Sequence, residues 1–420
     1  MARKLSSENI PDGWKYDLLD RFAERCSGHT PSKSFPEYWN GGIKWVSLSD
    51  SHKLDRGYIF ETESEISGEG IKNSSAELHP AETVLMTRDA GIGKSAVLKT
   101  PMAVSQHFIA WRCDNKSCLH SWFLYNWLQL HKAEFERQAV GSTIKTIGLP
   151  FFKRLKILVP PFEEQQKIVD ILFVWDKAIT ETERLIEVSQ QQRHALMQQL
   201  LTGKRRLPGF VEEWRLVSMG DIAKRISEKN NGQSDNVVTI SGKRGLIRQT
   251  DFFNKSVASE TLDGYTILRK GQFAYNKSYS DGYPMGAIKR LNLYDDAVVT
   301  SLYICFEVQA SDACEEFMEH CFESGVLNRR LKKVAAEGGR AHGLLNVKPS
   351  DFFDLRLSLP PKEEQKAIAK VLSQADAEIE AQQRRLNCLR QEKKALMQQL
   401  LTGKRRVKVE ATAPAEEAAC

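Results

Sequence analysis

The chain has 420 residues, 41% hydrophobic and 27% charged, with a net charge of +6. That length suits about two or three domains, and the composition is that of an ordinary folded protein, which excludes wholesale disorder. The charge excess is spread thinly, with residues 14–150 close to balanced, so it permits a nucleic-acid partner without demanding one. No apolar run approaches the ~18 residues needed to span a bilayer, and MARKLSSENIPDGW lacks the apolar core of a signal peptide. Eight irregularly spaced cysteines are not a disulfide framework, so a reducing cytoplasm is the expected location.

In chain order, short β-like runs come first, at Val84–Met86, Ala96–Lys99 and Phe108–Arg112, followed by helical spacing over Trp122–Phe135. From Pro160-Pro161 a long helix is predicted. Proline suits its first turn, and Glu163-Glu164 set negative charge by its positive end. Apolar residues then step by four and three through Ile168, Leu172, Trp175, Ile179, Ile186, Leu196 and Leu200, with Thr182, Ser189 and Arg193 as polar steps. That is a heptad seam. Thr-Gly-Lys-Arg-Arg ends the helix with a capping glycine and cations at the negative end. A second mixed block offers strands at Val237–Ile240, Gly271–Tyr275, Ala287–Arg290 and Ser301–Val308, then a helix over Cys314–Val334. Its long helix has a seam of Ile368, Leu372, Ile379, Leu386, Leu389, Leu396 and Leu400, with polar Gln382 and Lys393.

The strongest signal is internal repetition. ALMQQLLTGKRR occurs at Ala195–Arg206 and again at Ala395–Arg406, an offset of 200 residues. The same offset aligns Pro160-Pro161 with Pro360-Pro361 and Glu163-Glu164-Gln165 with Glu363-Glu364-Gln365. It also aligns Trp14, Ala23 and Arg25 with Trp214, Ala223 and Arg225. Residues 31–145 and 231–340 share almost nothing. The expected architecture is therefore an α+β tandem repeat with pseudo-twofold character: mixed α/β blocks over 1–158 and 207–358, long helices over 159–206 and 359–406, and a disordered tail over 407–420. About 40 helical residues at 1.5 Å each make a rod of roughly 60 Å. Two seams of equal length are expected to pair as an antiparallel coiled coil. Thr182 and Gln382 would lie near its midpoint, Ile168 near Leu396 and Ile368 near Leu196.

Catalytic motifs fail on inspection. Asp89-Ala-Gly-Ile-Gly-Lys-Ser95 resembles a phosphate loop, but Arg88 stands where that loop needs its first glycine. Leu158-Val-Pro-Pro-Phe162 resembles an amino-methyltransferase motif, but Val159 and Leu359 stand where an amide or carboxylate must accept the amine. Cys113 and Cys118 with His107 and His120 lack the short spacing of zinc pairs. Glu364-Gln-Lys366 lies on a helix without a preceding acidic metal ligand, and neither a Gly-x-Ser-x-Gly elbow nor a His-Glu-x-x-His pair occurs. No catalytic residue and no metal site are expected, and the chain reads as a binder.

Two divergent domains, each followed by a Pro-Pro-x-Glu-Glu-Gln helix ending in Leu-Leu-Thr-Gly-Lys, resemble the specificity subunit of type I restriction-modification systems. The resemblance spans about residues 14–406. It implies that each variable block is a target recognition domain reading half of a split double-stranded DNA site, with the helix pair as ruler. It further implies two modification subunits that methylate adenine and restriction subunits with motor and nuclease activity. S-adenosylmethionine, ATP and magnesium would belong to those partners, and no cofactor to this chain. Polar or glycine-flanked positions nominate Lys44, Arg88, Lys94, Ser95, Lys99, Asn115 and Lys145 as DNA contacts in the first block. Lys243, Arg244, Arg248, Lys277, Tyr279, Arg340 and His342 are nominated in the second. The competing reading is a coiled-coil scaffold that assembles a complex without DNA, supported by the balanced charge of residues 14–150. An enzyme with an unrecognised site is a further alternative.

Overall fold

A computed structural model describes residues 10–114, 118–141, 145–242, 244–252, 261–280, 282–309, 311, 313–335 and 345–409. The chain forms two compact units, one of residues 1–183 with 385–420 and one of residues 184–384. The long helices Phe162–Leu200 and Lys362–Leu400 have 39 residues each. The sequence boundaries give them as segments of their own, over 159–206 and 359–406. Each is shared between the units, and the division falls just past Thr182 and Gln382.

In the first unit, a five-stranded sheet runs in the order Glu24–Ser27, Phe108–Arg112, Val84–Thr87, Ser95–Leu98, Tyr58–Ile59. One face, with Trp111, Val84, Met86 and Val97, packs against the helix Ser121–Gln138 and shares a core with Ile168, Leu172, Met397, Leu400 and Leu401. The other face, with Leu85, Ala96, Leu98, Phe108 and Ala110, builds a second core with Val46, Leu54 and Ile59. Burial on both faces explains why Val84–Thr87 and Ser95–Leu98 read as continuous apolar runs rather than alternating ones. Strand Lys15–Leu18 pairs antiparallel with Lys156–Val159 and delivers the chain to the long helix.

The second unit repeats this frame and not its filling. Arg215–Ser218 pairs with Arg356–Leu359 in the equivalent register, and Ala223–Ile226 with Ile304–Val308. The interior is a four-stranded sheet with two separate strand pairs. Its core joins Phe273, Phe306, Phe317 and Phe352 to Ile368, Leu372, Met197, Leu200 and Leu201. The helix expected over Cys314–Val334 is two, Glu315–Glu323 and Asn328–Val334, because Gly325 takes a positive φ of 71° that breaks the first.

Helix polarity is explicit inside each unit. In the first, Asp176 pairs with Lys393 and Glu183 with Arg390 at 2.6 Å, so partner numbers fall as residue numbers rise. In the second, Arg193 Nη2 donates to Asp376 at 3.0 Å and Arg206 Nε to Glu364 at 2.6 Å, with the same antiparallel sense. Leu396 packs on the core holding Ile168, and Leu196 on the core holding Ile368. Of the expected seam, Ile168, Leu172, Ile186, Leu200, Ile368, Leu372, Leu386 and Leu400 are buried, and Trp175, Ile179, Leu196, Ile379, Leu389 and Leu396 partly so. The seam also buries Met197 and Met397, which the stepping missed. Val407, expected in a disordered tail, packs on the first core, and residues 410–420 lie outside the described residues.

Candidate nucleic-acid interface

The repeated motifs are joints. Glu164, 2% exposed at its side chain, accepts from Trp14 Nε1 at 3.1 Å and from Arg406 Nη2 at 2.7 Å. Glu364, fully buried, accepts from Trp214 Nε1 at 3.3 Å and from Arg206 through two bonds of 2.6 Å. A carboxylate taken out of water needs a charged partner and further donors, and both joints supply them. Glu164 and Glu364 lie in the first helical turn as the sequence expects, and there they are buried ion-pair partners; of each Glu-Glu pair only Glu163 and Glu363 are exposed. Likewise, Arg206 and Arg406 reach the start of the opposite helix rather than cap their own. Next to each carboxylate, a buried glutamine ties the helix to the globular domain. Gln165 accepts from the His120 N–H at 2.8 Å and donates to the carbonyls of Cys118 and Pro160, while Gln365 accepts from the Cys314 N–H at 2.8 Å and donates to that of Pro360. The one signal that could have exposed these joints is Trp14 and Trp214 at the repeat offset.

The glycine-rich stretch Asp89–Lys94 is a hairpin turn, with positive φ at Ala90, Gly91 and Gly93. Thr87 consumes its inner N–H groups: its carbonyl accepts from Gly93 N at 3.1 Å and its hydroxyl from Lys94 N at 3.1 Å. Those groups are not presented to a phosphate. Around this turn the structure gathers three nominated residues. Lys94 and Lys145 line one recess of about 370 Å³ with Lys132 and Glu136, and the Arg88 carbonyl accepts from Ile147 N at 2.9 Å. Lys132, which the sequence reading missed, is held by Asp55 at 2.6 Å. Arg88 Nε and Asp89 Oδ1 are buried with no hydrogen-bond partner among the described residues, 4.0 Å apart, while His107 bonds the other Asp89 oxygen at 2.9 Å. Unsatisfied buried groups are costly, and at a hairpin tip they are suited to an incoming polar edge.

Ser95 is corrected. Its side chain is fully buried in the sheet, where Oγ accepts from Gln129 at 2.8 Å, and it is out of reach of any ligand. Lys44 and Lys99 form a separate group, the first paired with Glu61 at 2.9 Å and the second over the Tyr58 ring at 4.3 Å.

In the second unit, Arg244 and Arg248 sit on the hairpin of Val238–Ser241 and Gly245–Arg248. Arg248 donates to Asn236 Oδ1 at 3.1 Å and stacks over Tyr294, at the edge of an open cleft of about 1090 Å³. Asp235, Asp263, Asp295 and Asp296 line that cleft with Arg248 and Lys270, so acidic side chains outnumber basic ones there. Lys277 Nζ is spent on the Val347 carbonyl, and Tyr279 is 65% exposed. Asn115, Lys243, Arg340 and His342 lie outside the described residues. The zinc-like set of Cys113, Cys118, His107 and His120 is not gathered as such: His107 serves Asp89, His120 Nδ1 caps a helix by accepting from Trp122 N, and burial pushes the Cys113 thiol up to about 12. Among the described residues, no helix is long and apolar enough to cross a membrane.

Comparison with known proteins agrees with this construction. The family model described as the type I restriction modification DNA specificity domain matches residues 11–190 and 211–391. The chain is 21% identical over 435 residues to the MjaVIII specificity subunit of Methanocaldococcus jannaschii, covering 97% of this chain and 96% of that one. It is 31% identical over 190 residues to the EcoR124I/EcoR124II specificity subunit of Escherichia coli, and 29% over 184 residues to the MjaIX subunit of M. jannaschii. Those two matches span 45% and 42% of the relatives' lengths, less than half. In fold, the chain resembles the S subunit of a type I system from M. genitalium, with a TM-score of 0.54 at 15% identity, covering 95% of this chain and 98% of that one. A chain solved in work on type I complex assembly and conformational transition gives 0.56 at 18% identity, with coverage of 93% and 98%. The chain belongs to the type I restriction-modification DNA specificity family and carries that family's domain twice.

Proposed function

We propose that this chain is the non-catalytic address of a type I complex, each globular domain reading one half of a bipartite DNA site and the helix pair setting the spacer between them. The observation that carries the reading is the contrast within the repeat. The Trp–Glu–Arg joint and its glutamine recur at both helix starts, while the domain interiors between them differ. A frame built twice with unlike fillings suits one kind of partner docked twice and two unlike half-sites. Helices of 39 residues, about 58 Å at 1.5 Å per residue, are long enough to separate two readers by more than one DNA turn of about 34 Å.

In this reading two modification subunits dock along the helices and bring S-adenosylmethionine to adenine, and restriction subunits bring ATP, magnesium, motor and nuclease; the assembly works in the cytoplasm. Arg88, Lys94 and Lys145 form the DNA-facing edge of the first domain, Arg244 and Arg248 that of the second. Methylome sequencing of a host expressing the chain with its modification partner, against a host lacking only this chain, tests the reading. A new N6-methyladenine signal on a split motif is expected. A complex with the methyltransferase but no new motif would remove the reading role, and no complex would leave the scaffold alternative. Within an active system, Lys145→Ala should weaken binding to all sequences alike and flatten the salt dependence, whereas Arg88→Ala should relax one position of one half-site.

A further inference from the structure

Away from the hairpin tips, the first domain gathers three donor side chains that no spacing in the sequence connects. Cys26 Sγ, a ring nitrogen of His79 and a carboxylate oxygen of Glu77 all lie within 4.8 Å of one another. Cys26 sits on Glu24–Ser27, the edge strand of the five-stranded sheet. His79 is fixed by reciprocal backbone bonds with Met102, of 2.9 and 3.0 Å, in the segment leading to the strand Val84–Thr87. His79 is 1% exposed, yet its Nε2 is buried with no hydrogen-bond partner among the described residues. A buried ring nitrogen left unsatisfied in a folded core needs an explanation, and an unplaced ion is one.

We propose that Cys26, Glu77 and His79 bind a single zinc ion that clips the edge strand of the first domain to the segment preceding its central strand. The donor set is one thiolate, one imidazole and one carboxylate, which suits a borderline-soft divalent cation and not calcium or magnesium. Tetrahedral zinc holds its donors about 3.4–3.8 Å apart. Cys26 is half-buried and Glu77 exposed, so binding would draw the three donors, which lie within 4.8 Å of one another, to that spacing. The fourth position is left to water.

Arg112, the cation that faces the cluster, is already held by Asp114 at 3.1 Å and Glu24 at 3.5 Å.

The test uses the untagged full-length chain, stripped with a chelator, reloaded with one equivalent of zinc chloride, desalted and assayed by mass spectrometry. Roughly one zinc per chain is expected in the wild type, and under about a tenth of that in Cys26→Ser and in His79→Gln, with Cys388→Ser unchanged. Cobalt should give a thiolate charge-transfer band that Cys26→Ser abolishes. Zinc retained by Cys26→Ser at the wild-type level, or a wild type that holds no more than Cys26→Ser, overturns the site. If His79→Gln does not fold, Cys26→Ser, altered on a partly exposed edge strand, decides the matter alone.

Discussion

The two units are built from halves of the same two helices, but the chain reaches them by different routes. The second is one continuous stretch, residues 184–384, whereas the first joins residues 1–183 to residues 385–420. Closing the first unit therefore means bringing together segments separated by the whole of the second, at a larger loop-closure entropy. The joints offset that cost in the same chemical currency on both sides: Trp14, Glu164 and Arg406 in one, Trp214, Glu364 and Arg206 in the other. Where the frame repeats, the residues repeat; where the fillings differ, so does the residue whose main-chain N–H reaches the glutamine beside the joint. Gln165 receives the N–H of His120, and Gln365 that of Cys314. A shared frame and unlike contents thus meet within a single hydrogen bond.

The comparison is most easily broken through the helix ends. Leu200 and Leu400 are each 2% exposed, in the second and first core respectively. Leu400→Ala and Leu200→Ala should each cost about 2–5 kcal/mol. Hydrogen exchange should localise the damage: Leu400→Ala loosens residues 10–183, and Leu200→Ala residues 184–384. Loosening of both units by either variant would mean that they do not open separately.

A smaller effect sharpens the contrast between the capping glycines. Gly203 and Gly403 both have φ of +70°, so alanine at either costs about 1–2 kcal/mol in backbone strain. At Gly203 the new Cβ meets the Trp214 ring at 3.5 Å, an ordinary contact, whereas at Gly403 it meets Pro11 Cγ at 2.5 Å. Gly403→Ala should therefore lower the melting temperature more than Gly203→Ala, and equal losses would count against the close approach of Pro11.

Acid should act on the first unit through His120. Burial lowers its pKa below the ordinary 6.5, against Glu82 and Asp170. The unfolded chain then binds the proton more readily, so this stability is present above about 6.5 and is lost as pH falls toward the folded value. Protonation also removes the Nδ1 acceptor that caps Trp122 N. His120→Asn, which keeps a cap, should flatten the decline of first-unit protection between pH 7.5 and 5.5. The slope of the second unit remains through His320, also lowered by burial. An unaltered first-unit slope in His120→Asn would exclude His120 as a source. The smallest effect is at Arg390 and Glu183, with side chains 54% and 45% exposed: Arg390→Ala should change stability by less than about 1 kcal/mol.

Much of the frame was legible because it is written twice. The heptad steps through Ile168 and Leu172, the proline at the first turn and the glycine at the last each follow from local backbone rules, and identity at a fixed offset amplifies them. The strands around Val84 and Phe108 were legible because burial on both faces makes them apolar throughout. The interface was less so. Ser95 and Lys94 are neighbours in a polar-looking motif, yet strand alternation turns one into the core and leaves the other at a recess. Lys132 carries no motif at all, and neither do Cys26, Glu77 and His79.

The sequence alone therefore determined the tandem repeat, the two long helices and their seam, and the absence of familiar catalytic spacings, since all of these depend on periodicity and local geometry. Tertiary structure alone decided that each helix belongs to both units, that Glu164 and Glu364 are buried ion-pair centres rather than surface charge, and which donors meet at Cys26. Those outcomes depend on contacts between residues tens to hundreds of positions apart, and no local pattern encodes which distant side chain will arrive.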